Sequence, residues 1–221
     1  LAYGTQPMDL LLDSVLPPEV KGQLGKVGVV MEAFVQKLRE NEGQNQSLSE
    51  LFSGSPEVVK FLEVVRHAPV VMEVVMNTVV KNPQMLSRLL SNPSMETVTE
   101  LCTTDTFLVP ANLSTQQFAA ARGALCALNY TEFAEQLLRE LGLNETLLTT
   151  LAGADPSQAR FSHLVGLMQD SAALMDSQGV AWQGDLGWIT SLHTKLASLD
   201  WMAMLGITGN SLQDQLAAGT A

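Results

Sequence analysis

Basic charge, aromatic rings, cysteine and histidine are all scarce in this chain, and each shortage removes a class of protein. Lys and Arg total 12 against 23 Asp and Glu, so the net charge is −11 over 221 residues. The cations form no cluster, which disfavours nucleic acid and anionic membrane surfaces as partners. Aromatics make up only 5%, with Leu, Val, Ala and Met prominent instead. That composition favours helix packing over a β-sandwich. The only cysteines are Cys102 and Cys126, too few for a disulfide scaffold and without a Cys-x-x-Cys pair. His67, His163 and His193 have no second His or Cys at metal-ligand spacing. Gly-x-Ser-x-Gly, a Walker loop and a dinucleotide-binding Gly motif are all missing. No nucleophile, base or metal set is nominated, so the expectation is a protein that is not an enzyme and holds no metal or catalytic cofactor. The acidic residues read as solvated charges on polar helix faces.

What is present is apolar surface. Apolar residues reach 46% and charged ones only 16%, giving a mean hydropathy of +0.15. No run is long enough to span a bilayer. Residues 57–81 hold Val58, Val59, Phe61, Leu62, Val64, Val65, Val70, Val71, Met72, Val74, Val75, Met76, Val79 and Val80. Such a Val-rich run invites a strand reading. Its polar residues Glu57, Lys60, Glu63 and Arg66, however, recur every third position, which is a helical interval. The run carries more apolar surface than one helix face needs. A large core, a partner subunit or a bound lipid must cover the excess.

Several features point to export. The chain begins with Leu1, which reads as a mature terminus left after signal-peptide removal, although a cut piece would look the same. Four glycosylation sequons occur, at Asn45, Asn112, Asn129 and Asn144. An even cysteine count in an exported chain predicts a Cys102–Cys126 disulfide, worth about 3 kcal/mol in the chain-entropy account. The expected location is secreted or extracellular.

The expected architecture is all-α, a single helical domain over 1–221 in which residues 1–45, with the Gly-rich stretch 22–28, can form a small N-terminal subdomain. Met31, Phe34, Val35 and Leu38 make one helix face, stopped at Gly43. Ser47 and Glu50 form a capping box for a short helix over 48–52. Ser55-Pro56 opens the next helix, and Pro69 breaks or kinks it. Asn82-Pro83 and Asn92-Pro93 start two short helices, the second ending near Cys102. A loop follows over 103–110, then helices over 114–128 and 131–141, the latter stopped by Gly142. Asp155-Pro156 opens a long helix to about Met175, residues 177–184 form a turn-rich break, and 186–199 is helical again.

Short stretches around the cysteines carry a family likeness. Leu101-Cys102, Phe107-Leu108-Val109-Pro110, Ala124-Leu125-Cys126 and the 133–151 segment with Leu141-Gly-Leu-Asn-Glu-Thr resemble the exocytoplasmic region of A-subfamily ATP-binding-cassette lipid transporters. Ser198-Leu199-Asp200-Trp201, followed by Leu205-Gly206, is similar to that region's Ser-Leu-Asn-Trp element. The likeness spans about residues 50–210. The family's Cys-Gly-His-Pro-Glu-Gly-Gly-Gly run is missing, as are nucleotide-binding motifs and membrane spans. The resemblance implies an excised extracellular fragment or a free-standing secreted relative, with helices enclosing a hydrophobic tunnel that holds lipid.

Together these readings predict a secreted carrier for a hydrophobic small molecule (a lipid, sterol, carotenoid or retinoid) in an apolar helical cavity or tunnel. Ten methionines add flexible, polarizable lining. The expected lining is Phe61, Val64, Val65, His67, Val71, Met72, Val75, Met76 and Val79, with Met168, Met175, Trp188 and Trp201 opposite. The competing expectation is a structural or interaction module whose apolar face is a homo-oligomer interface.

Overall fold

A computed structural model of the chain describes residues 7–82, 84–85, 88, 94–104, 106–182 and 184–200. Eleven α-helices and one 3₁₀ turn, with no strand, are formed among the described residues. The all-α expectation holds.

Helix α1 (Pro7–Val15) leads through Pro17 into α2 (Pro18–Asn41), which has Pro at its first position and Glu19 in its first turn. Helix α2 ends as the chain turns back at Gly43, whose φ of +79° suits glycine. The Gly-rich stretch sits within α2, where it serves packing. A Cβ on Gly25 would lie 3.5 Å from Ala152, and one on Gly28 would meet the Gln158 carbonyl oxygen at 2.4 Å. Helix α2 therefore lies directly against α9 (Glu145–Ala154), the 3₁₀ turn Pro156–Ala159 and α10 (Phe161–Ser177).

Helix α3 (Leu48–Leu51) carries the expected capping box, Ser47 and Glu50 each accepting the other's backbone N–H. The Val-rich run forms α4 (Pro56–Arg66) and α5 (Ala68–Lys81), divided at His67 just before Pro69. Then come α6 (Ser94–Thr104), α7 (Thr115–Cys126) behind a Ser114–Gln117 capping box, and α8 (Tyr130–Glu140), which is followed by Gly142 at φ +70°. Helix α11 (Gly187–Ala197) is the last described element. The helix expected from Asn82-Pro83 lies largely outside the described residues. Asp155-Pro156 opens the 3₁₀ turn first, and the long helix starts only at Phe161.

Three clusters of buried side chains fill the interior. The largest gathers Leu38, Phe52, Val58, Leu62, Val64, Val65, Val71, Val74, Leu125, Phe133 and Met175 from α2 through α10. Phe61 stacks on Phe133 at 4.6 Å, and Phe34 on Phe52 at 6.2 Å. A second joins α1 and the start of α2 to Val79, Phe161 and Leu164. The third is a corner between α10 and α11 around Val165, Ala172 and Ile189. Cys102 and Cys126 are bonded, with Cα atoms 5.5 Å apart, and tie α6 to α7. No helix among the described residues is long and apolar enough to cross a membrane.

Candidate binding site

The residues expected to line one cavity divide among the clusters. Val64, Val65, Val71 and Met175 are buried in the main core with Phe61 and Met72 packed against it. Val79 belongs to the second cluster, with Val75 against both. Met76 is buried, and His67 caps the junction of α4 and α5. Only Met168 and Trp188 reach the third cluster together. Trp201 lies outside the described residues. An apolar cavity between these faces is not seen among the described residues, because the Val faces of α4 and α5 pack onto α7 and α8. Two surface depressions are polar or small. One, of about 450 Å³, is lined by residues of 41–46 with Ser177 and Gln178, and one, of about 260 Å³, lies beside the disulfide against Tyr130.

Acidic residues do more than solvate helix faces. Glu57 is only 6% exposed. It accepts from Lys60 Nζ at 2.9 Å and from the Asn129 backbone N–H at 2.8 Å. These bonds, Lys60 foremost, hold its carboxyl below the ordinary value. Fully buried Ser55 donates to Glu140 Oε1 at 2.7 Å, Arg139 donates to Ser55 Oγ at 3.2 Å, and Lys37 donates to Glu140 Oε2 at 3.3 Å. The Ser55 bond, then Lys37, lowers the Glu140 pKa. Ser55 therefore serves this clamp and makes no side-chain cap on α4. Asp9, also buried, caps α10 from across the fold through Ser162 N–H at 3.1 Å. Burial raises the Tyr130 phenol, whose OH donates to the Leu125 carbonyl at 2.6 Å. Among the described residues no group of three or more His, Cys, Asp or Glu could hold a metal ion.

The corner at α10 and α11 is chemically different. Trp182 and Trp188 lie 5.8 Å apart, tilted at 41°, with Met168 and Leu186 beside them. Both indole Nε1 atoms are buried and neither finds an acceptor. Buried polar groups are nearly always bonded, so two adjacent orphans call for an explanation. Trp182 sits in the connection from α10 to α11, which bends at Gly179 (φ +93°) and Gly184 (φ +126°). Of this corner, Met168 and Trp188 were among the expected lining residues and Trp182 was not, although the sequence places it near Trp188. The unmet indole donors depend on three-dimensional surroundings that no spacing reveals.

All four sequon asparagines are exposed. Asn129 and Asn144 cap α8 and α9, each accepting through Oδ1, from Glu132 N–H at 3.2 Å and Leu147 N–H at 2.8 Å. Capping uses the oxygen and leaves Nδ2 available to carry a sugar. No protein family, curated protein or solved structure was found to match this chain. The disulfide fits a protein outside the cytosol.

Proposed function

We propose that the chain is a secreted, non-enzymatic binding protein for a hydrophobic small molecule carrying a hydrogen-bond acceptor, seated at the Trp182–Trp188–Met168 corner. The carrying observation is the pair of buried indole N–H groups without acceptors in an otherwise apolar setting. An unmet buried donor costs on the order of 1–3 kcal/mol, and a ligand carbonyl, carboxylate or hydroxyl relieves that cost. Gly179 and Gly184, both at positive φ, shape the turns on either side of Trp182. Aromatic and Met side chains supply the apolar contact, at about 25 cal/mol per Å² buried. A lipid, sterol or carotenoid with a polar end satisfies both demands.

The test titrates the full chain with oleic acid and, separately, with cholesterol delivered from cyclodextrin, following intrinsic tryptophan emission. Saturable quenching, lost in Trp188→Phe, is the expected result. No spectral change with either, together with an organic extract of natively purified protein that holds no bound compound, overturns the reading. A second reading, an oligomer interface, is favoured by Val80 (52% exposed), Leu108 (40%) and Val109 (54%). Asn77 and Thr78 hold Leu108 against α5, the first donating to its carbonyl and the second accepting its N–H. Light scattering that shows a dimer lost in Val109→Asp, with no lipid response, selects that reading instead.

A further inference from the structure

We infer that Asn45 carries an N-linked glycan whose first sugar, an N-acetylhexosamine, is seated in the polar depression between the ends of α2 and α10. This rests on the reading of the chain as exported. Asn45 opens the sequon Asn45-Gln46-Ser47, is exposed, and itself lines the depression of about 450 Å³. Its neighbours there are Asn41, Glu42, Gly43, Gln44, Gln46, Ser177 and Gln178, a wall of amides and a hydroxyl that can both donate and accept, with one carboxylate that accepts.

Asn41 supplies the second observation. It is only 4% exposed, and its Nδ2 donates to the Gln46 carbonyl at 3.3 Å and to Gln178 Oε1 at 2.6 Å. Gln178 in turn donates to the Leu38 carbonyl at 2.9 Å. These bonds fix the orientation of the Asn41 amide and leave its Oδ1 a buried acceptor with no donor. The acetamido N–H and ring hydroxyls of an N-acetylhexosamine are donors of the required kind. Gly43 lets the turn between Asn41 and Asn45 fold back, so the attachment point borders the seat. Asn129 and Asn144 cap helices elsewhere and line no part of this depression. In the attachment step, Asn45 Nδ2 loses a proton and bonds to the anomeric carbon of a lipid-diphosphate oligosaccharide. The carbon–phosphate oxygen bond breaks, and the lipid diphosphate leaves with the electron pair.

The experiment secretes the full chain from a glycosylating host and trims each glycan to one N-acetylglucosamine with endoglycosidase H. Peptide mass spectrometry reads occupancy at the four sequons. Asn45→Gln is expected to lower Tm by about 2–4 °C, and that decrement is expected to vanish in an Asn41→Ala background. Should Asn41→Ala fail to fold, nuclear Overhauser contacts from the acetamido methyl to Ser177 or Gln178 protons of the wild-type chain decide the matter. An occupied Asn45 with no such contact and no coupling to Asn41 overturns the seat. A bare Asn45 beside an occupied Asn129 or Asn144 overturns the proposal alone, and four bare sequons overturn the export reading with it.

Discussion

The disulfide-braced half, α3 through α8, and the half built on α2, α10 and α11 differ in how completely their buried polar atoms are paired. In the first, buried Glu57, Ser55 and Thr78 and partly exposed Glu140 all have partners. In the second, Ser162 of α10 is bonded to buried Asp9, but Asn41 Oδ1, Ser171 Oγ and the Trp182 and Trp188 Nε1 atoms have no partner. Both halves have close-packed apolar clusters, so the difference is not one of greasiness. A fully satisfied polar network specifies one arrangement, whereas unmet groups mark where a fold has another state or another occupant to offer. The comparison predicts that substitutions of buried polar groups cost more in the braced half than in the other.

The comparison is broken most forcefully from its braced side. Phe52 is fully buried, stacks on Phe34 and lies under Lys37 Nζ, which is 5.5 Å from its ring centroid. Phe52→Ala should cost about 4 kcal/mol in urea unfolding. A loss below about 1 kcal/mol would mean the braced half does not carry the fold. The packing of α2 on α9 and the 3₁₀ turn gives the next effect. Gly28→Ala drives a Cβ into the Gln158 backbone and should cost about 2–3 kcal/mol. Gly25→Ala meets only ordinary contact with Ala152 and gains helix propensity, so it should be neutral or slightly stabilising. Equal effects at the two glycines would mean that Gly28 does not approach Gln158 this closely.

Punctuation and periodicity made much of this fold legible. The three-residue interval of Glu57, Lys60, Glu63 and Arg66 identified α4 against its Val content, and Pro69 marked the junction with α5. An even cysteine count anticipated the bridge. Helix α9 went unread because its opening Asn144 carries two signals, a cap and a sequon, and only the second was weighed. Helix α1, nine residues between prolines, has too little length to show a period. The expected cavity rested on counting apolar faces one helix at a time. Helices α4 and α5 each meet α8 or α7, and one shared interface absorbs several faces. Partnerships such as Ser55–Glu140, 85 residues apart, leave no local trace.

Acid tests the satisfied network directly. Glu57 and Glu140 have folded-state pKa values below the ordinary 4.5. A depressed carboxylate stabilises the fold above its unfolded-state pKa, and that contribution fades as pH falls through the folded value. Stability should therefore hold at neutral pH and decline from about pH 4.5 downward. Glu140→Gln should flatten that decline, besides lowering stability at pH 7 by about 1–2 kcal/mol through the weakened Ser55 and Lys37 bonds. An unchanged acid limb would remove Glu140 from the account.

The smallest expected effect discriminates best, because it differs in sign between the halves. Ser55 and Ser171 are both buried, at 0% and 5% exposure. Ser55→Ala strips a donor from Glu140 and an acceptor from Arg139 and should cost about 2 kcal/mol. Ser171 has no partner to lose. Ser171→Ala removes an unmet hydroxyl from beside Ala172, adds helix propensity, and should leave stability unchanged or raise it by up to about 1 kcal/mol. Thermal unfolding of the two variants side by side checks this. If both fell equally, the hydroxyl of Ser171 would be bonded in solution, and the contrast between a satisfied and an unsatisfied half would lose one of its four members.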